Sequence, residues 1–88
     1  MTSSNSPKIK LDVRVRDNTI IFYISSPSLY CKLIIAEDND TIYIFDSEMN
    51  TLNELNVKDL EKLTLSDFAF NNCLYSLYKE FLKLLVRV

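Results

Sequence analysis

No glycine occurs in the 88 residues of this chain, and that absence restricts both its turns and its chemistry. Average composition would supply about six glycines in a chain of this length. Turns that need a positive φ angle must therefore use asparagine or aspartate, which tolerate it best among the other residues. Phosphate-binding P-loops, dinucleotide-binding turns, nucleophile elbows and standard calcium loops all depend on glycine, and the sequence argues against each of them.

Histidine is also absent, so the commonest general base and the commonest metal ligand are both missing. The conceivable nucleophiles without a histidine base are Ser25, Ser26, Ser28, Cys31 and Cys73. Composition leaves a serine–lysine pair open, for example a serine with Lys32, but no spacing supports it. We expect a non-catalytic protein without a cofactor.

Five carboxylates bracket the fourth predicted strand, and they could in principle bind a divalent cation. They are Glu37, Asp38, Asp40, Asp46 and Glu48. No glycine follows the first of them, and Met49 stands where a calcium loop needs a bidentate glutamate. We interpret them as solvated turns and predict no metal site.

Strand-like alternation dominates the first half of the chain. Residues 8–16 place apolar and charged side chains on opposite sides, and Asp17-Asn18 follows where a hairpin turn is needed. Three further apolar segments lie between short polar connections, at residues 19–25, 29–37 and 41–45. The pattern predicts a four-stranded antiparallel meander over about residues 8–46.

After Met49 the apolar spacing changes to that of a helix. Thr51 and Glu54 have the spacing of a capping box, which predicts a short helix, although poor helix formers leave a start at Asn56 open. Ser66-Asp67 predicts the cap of a long last helix. Its expected apolar stripe is Phe70, Leu74, Leu77, Phe81, Leu84 or Leu85, and Val88. The expected fold class is α+β, with both helices packed on one face of the meander.

Length and composition predict a single domain over residues 8–88, after a disordered N-terminal segment at residues 1–7. No apolar run is long enough to span a bilayer, and residues 1–7 contain no apolar signal core. We therefore expect an intracellular protein of the cytoplasm or nucleus. Cys31 and Cys73 could pair, but in an intracellular chain we interpret them as small buried apolar residues rather than a disulfide.

Two predicted strands are apolar on both sides, whereas a sheet with one face in water should alternate. Too few residues follow the last strand to cover both faces easily. We expect the surplus side chains to form a protein contact, with the end of the last helix as a second contact. The predicted partner-binding residues are Ile21, Tyr23, Tyr43 and Phe45, or their alternates on the other side of the same strands, together with Leu85 and Val88. Closure of the sheet on itself, or wrapping of residues 52–63 around an edge, remains an equal alternative.

The charged side of the first strand suggests a second hypothesis, in which cations contact the phosphates of a nucleic acid. These cations are Lys8, Lys10, Arg14 and Arg16. Edge strands also carry lysine and arginine to prevent pairing with other chains, and the formal net charge of −2 does not suggest a polyanion partner. We prefer the edge-strand interpretation.

The sequence thus predicts a small non-catalytic protein–protein interaction module. It would be a subunit of a multiprotein complex, or a viral or phage factor that binds and modulates a host protein. A protein partner or a homodimer is expected, with no membrane and no small-molecule substrate. The alternative is a nucleic-acid-binding regulator that uses the basic edge strand.

Overall fold

The computed structural model describes residues 9–85, which form a five-stranded antiparallel sheet and a C-terminal helix. The strands are β1 Lys10–Arg16, β2 Thr19–Ser25, β3 Lys32–Asp38, β4 Thr41–Phe45 and β5 Thr51–Asn56. They lie in chain order across the sheet, so β1 and β5 are its edges. The predicted α+β class and antiparallel meander are confirmed. The predicted disordered segment at residues 1–7, together with Lys8 and Val88, lies outside the described residues.

The sheet has one strand more than the sequence predicted, because the segment after Thr51 is a strand and not the start of a helix. This β5 strand pairs with β4, with a register shift between Ile44 and Phe45. Helical structure begins only after Asn56, whose side chain accepts a hydrogen bond from the backbone N–H of Lys58 at 2.9 Å. The following 3-10 turn covers Val57–Lys62, so a 3-10 turn from the alternative start takes the place of the predicted short helix.

The last helix, α1, covers Asn72–Leu85 and begins later than predicted. A second 3-10 turn, Leu65–Phe68, occupies the segment where its cap was expected. Ala69 and Phe70 then both adopt positive φ angles, 55° and 58°, which interrupt the helical path. Phe70 was predicted to lie in the apolar stripe, but it precedes the helix and is 71% exposed.

One face of the sheet carries the core. Apolar side chains of β2, β3 and β4 on this face pack against α1 and the two 3-10 turns. The buried residues of this hydrophobic core are Ile24, Leu33, Ile35, Ile42, Ile44, Leu60, Phe68, Leu74, Leu77, Tyr78 and Phe81. The rings of Phe22 and Phe81 lie 5.1 Å apart between β2 and α1. Burial of this amphipathic helix face is the main source of stability for α1, since isolated helices of this length are marginal in water.

The prediction that asparagine and aspartate replace glycine in the turns is confirmed at two hairpins. Asp17, between β1 and β2, has a φ angle of 56°, and Asn39, between β3 and β4, has one of 57°. The hairpin between β4 and β5 does not follow this prediction, because Met49 takes the positive φ angle there, at 65°. A side chain with a Cβ atom is disfavoured in this conformation, so other contacts must hold that turn.

The prediction of unpaired, buried cysteines is wrong. Cys31 and Cys73 form a disulfide. Their Cα atoms lie 6.1 Å apart, across 42 positions of sequence. Cys31 directly precedes β3 and Cys73 lies in the first turn of α1. The bond therefore ties the start of the helix to the central strand of the sheet.

Candidate protein-binding sheet face

The four partner-binding residues predicted on the sheet all lie on the face opposite the core, here called the open face. Strand register places Ile21, Ala36 and Tyr43 side by side across β2, β3 and β4. A neighbouring row consists of Tyr23, Ile34 and Phe45. The open face therefore presents two adjacent rows of apolar and aromatic side chains, defined by these six residues.

On the open face, the middle strand β3 is less accessible to solvent than its neighbour β2. Ile34 and Ala36, on the middle strand, are each only 8% exposed, although they do not belong to the core cluster. Tyr43 and Phe45 stack with their ring centroids 6.5 Å apart. Tyr23 is 37% exposed, so an aromatic ring stands at the accessible side of the surface.

No helical residue between positions 9 and 85 is buried against the open face. The buried residues of α1 and of both 3-10 turns belong to the core on the opposite face. Leu52, Leu55, Val57 and Leu63 also pack against that core. The alternative in which residues 52–63 cover the surplus apolar face is therefore wrong for the described chain.

The predicted cations of β1 that the structure describes, Lys10, Arg14 and Arg16, lie on the same open face, a placement that sequence alone could not establish. Register pairs Lys10 with Ser25 and Arg14 with Ile21, and Arg16 follows two positions later on the same side of β1. The Arg14 guanidinium lies 5.7 Å from the centre of the Tyr23 ring and donates a hydrogen bond to the Asp12 carboxylate at 3.4 Å. The two surfaces predicted separately are thus one surface with an apolar centre and a basic margin.

An open groove of about 470 Å³ runs along this margin. Its lining includes Lys10, Asp12, Arg14, Tyr23, Lys32 and Ile34. Lys32, Ile34 and Ala36 also belong to this face and were not among the residues predicted from the sequence. The continuous apolar run at the centre of β3 was the available signal, since a strand that is apolar on both sides is buried on both faces.

The second predicted contact lies elsewhere. Leu85 ends α1, on the core side of the sheet, and is 42% exposed. It is therefore not continuous with the open face. The core side of β1 is also exposed and apolar, at Leu11, Val13 and Val15, because α1 lies over β2 and β3 and not over this edge.

Two groups that could take part in acid–base chemistry are Tyr78 and Lys32. Burial raises the pKa of Tyr78, and its hydroxyl donates to the Leu60 carbonyl and accepts from the Leu63 N–H. Ser25 and Lys32 are register partners on the open face, so one serine–lysine pair left open by composition is adjacent. Lys32 is exposed, however, whereas a lysine that acts as a base is normally desolvated.

The described residues contain no cluster of three or more cysteine, aspartate or glutamate side chains placed to hold a metal ion. Within residues 9–85, none of the helices has the length and apolar character needed to cross a membrane. Comparison with protein-family models, curated proteins and solved structures finds no match to this chain.

Proposed function

We propose that the protein is a small interaction module that binds another protein through the open face. The observation that carries this proposal is the double row of apolar and aromatic side chains that no helix of the described chain covers. A one-sided antiparallel sheet normally places polar residues on its second face. A contiguous apolar surface with exposed tyrosine, bordered by charge, has the composition of a protein contact. Such a module could serve as a complex subunit, or as a viral or phage factor directed at a host protein.

The cations border this surface and do not dominate it. Arg14 is already paired with Asp12, and Glu54 lies opposite Tyr43 at the other side of the open face. A polymer of phosphates that crossed the whole face would meet both carboxylates. This arrangement supports a protein partner with local acidic groups over a polyanion.

Nucleic-acid binding remains the second candidate, because the structure places Tyr23 beside Lys10, Arg14 and Lys32. Aromatic rings next to cations are the usual means of binding single strands. If this candidate is right, a fluorescent oligothymidylate should bind with steep salt dependence, and the variant K10Q/R14Q/K32Q should not bind. Absence of binding at low salt would eliminate it.

Affinity capture with matched variants tests the protein-binding proposal. The wild-type chain is used as bait beside the face variant I21S/Y43S and the control variant Y30S, since Tyr30 is a fully exposed tyrosine outside the sheet. We expect wild type and Y30S to retain the same partner, or the same homodimer, and the face variant to lose it. Thermal unfolding of each bait establishes that all three are folded.

Two results would contradict the proposal. One is equal retention of the partner by the folded face variant. The other is a monodisperse wild-type monomer that retains nothing beyond what the face variant retains. Mass spectrometry of the captured material measures partner retention, and gel filtration measures the oligomeric state.

The disulfide also affects where such an interaction takes place. Disulfides persist in oxidising compartments and are rare in the cytosol. The expectation of a cytoplasmic or nuclear protein favoured unpaired cysteines, and the Cys31–Cys73 bond departs from it. We propose an oxidising environment, which alkylation of the protein from its native source without reductant would test: fully alkylated cysteines would contradict it.

A further inference from the structure

Two lysines from different strands lie on either side of one serine at the basic margin of the open face. Register places Lys10 of β1 and Lys32 of β3 on opposite sides of Ser25 in β2. Their Cα atoms are therefore separated by two strand spacings, about 10 Å. Long lysine side chains can converge over such a gap on one small anion. Both lysines and Ser25 line the groove.

Lys10 and Lys32 differ from Arg14, the third cation of the groove, in their ion pairing. Arg14 is engaged by Asp12, whereas the ion pairs found within residues 9–85 include neither Lys10 nor Lys32. Two like charges beside one another favour an anion between them, and ammonium–carboxylate hydrogen bonds are stronger than neutral ones. The pair therefore has the chemistry of a carboxylate-binding position.

An aromatic position lies next to this pair along the same strand. Tyr23 is two residues before Ser25 and so shares its face, about 7 Å away. Ile34 lies beside Tyr23 on β3, and the Arg14 guanidinium lies 5.7 Å from the centre of the Tyr23 ring. Along β2, from Ser25 towards Ile21, the groove therefore presents the lysine pair first, then Tyr23, and then Arg14.

We propose that this groove binds an extended acidic segment of the protein partner. One carboxylate lies between Lys10 and Lys32 over Ser25, an aromatic side chain two residues along packs on Tyr23, and a further acidic residue approaches Arg14. In an extended chain, every second side chain shares a face at nearly the spacing of β2 itself, so the segment and the strand match. The inference rests on the proposed function, whose partner class it specifies.

Charge distribution favours an acidic protein segment over a nucleic acid in this groove. Asp12 lies inside it, and the chain as a whole is slightly acidic, with a formal net charge of −2. A row of phosphates would find two unpaired lysines here, whereas proteins that bind DNA tightly neutralise several phosphates. An isolated carboxylate beside an apolar contact needs no more than the lysine pair.

The test is a titration of isotope-labelled protein, followed by backbone NMR shifts, with a capped peptide of sequence Glu-Ser-Phe-Ser-Glu. The matched control peptide is Gln-Ser-Phe-Ser-Gln, which keeps the size and removes the charge. We expect saturable shifts centred on Lys10, Tyr23, Ser25 and Lys32 with the acidic peptide, and affinity roughly tenfold lower for the glutamine peptide. The variant K10Q/K32Q should show the same loss.

A charge-matched variant separates the specific site from general attraction. K58Q/K79Q removes two lysines from the first 3-10 turn and from α1, far in sequence from the groove, and should bind the acidic peptide like wild type. Equal weakening by both double variants would overturn the inference. So would equal binding of the two peptides, the absence of saturable shifts, or tighter binding of an oligothymidylate at the same residues. If the peptide fails while I21S/Y43S still abolishes partner capture, only the groove assignment fails.

Discussion

At the scale of single residues, the absence of glycine has its clearest consequence in the β4–β5 turn. Met49 adopts a φ angle of 65° there, a conformation that glycine or asparagine takes more readily. The turn is held by Asp46, whose carboxylate accepts hydrogen bonds from the backbone N–H groups of Glu48 and Asn50, each at 2.9 Å. Asparagine and aspartate in the first two turns were predictable, because Asx residues stand between alternating segments. Met49 was not, because the hydrogen bonds of a neighbour impose its conformation.

Replacing Met49 with glycine should stabilise the protein. M49G removes the Cβ clash at positive φ and is expected to raise the free energy of unfolding by about 1 kcal/mol, measured by urea denaturation. The control is S47G in the same turn, where φ is not positive and glycine gives no relief. A stability of M49G equal to or below that of S47G would show that the turn is unstrained.

The same turn should make stability depend on pH. Hydrogen bonds from the Asn50 side chain, and then from the backbone of Asn50 and Glu48, hold the pKa of Asp46 below its ordinary value of 3.8. A carboxyl group with a lowered folded pKa stabilises fully above the unfolded value, and that contribution is lost as pH falls from there through the folded pKa. We expect D46N to lose less stability than wild type between about pH 6 and about pH 3, by chemical denaturation. An equal loss in both proteins would contradict this role of Asp46.

At the scale of secondary structure, the apolar strands bounded by polar turns were predictable and β5 was not. β2 and β4 have the bounds that the pattern predicted, while β3 begins later, after a turn in which the Leu29 N–H donates to the Ser26 carbonyl at 3.1 Å. In β5, Leu52 has no register partner, because Thr51 pairs with Phe45 and Asn53 with Ile44. This extra residue shifts the alternation of side chains between the two faces of the sheet. Leu52 and Leu55 therefore have a helix-like spacing although they lie in a strand.

Removal of the disulfide should weaken the docking of α1. The double variant C31A/C73A opens a covalent loop of 42 positions and is expected to lower the free energy of unfolding by about 2–4 kcal/mol. Wild type unfolded in the presence of a reductant should approach the variant in denaturation midpoint. A midpoint of C31A/C73A equal to that of oxidised wild type would show that the bond adds no stability.

At the scale of the whole molecule, two surfaces that the sequence suggested independently coincide on one sheet face. Because β2 and β4 are apolar on both sides, the sequence predicted that one side of each strand, at Ile21, Tyr23, Tyr43 and Phe45 or their alternates, would be left over from the core. Which side is free required the structure. The pairing of Lys10 with Lys32 across Ser25 required the strand order and register, which no local pattern contains. The predicted contact at the end of α1 is separate from this face, because Leu85 lies on the other side of the sheet.

Tyrosine labelling before and after complex formation shows whether the open face binds a protein. The wild-type chain is labelled by brief oxidation, alone and in its captured complex or homodimer, and modification of Tyr23, Tyr43 and Tyr30 is quantified by mass spectrometry. We predict strong protection of Tyr23 and Tyr43 in the complex and unchanged modification of Tyr30, which lies outside the sheet. Unchanged modification of Tyr23 and Tyr43, with or without protection of Tyr30, would contradict the account.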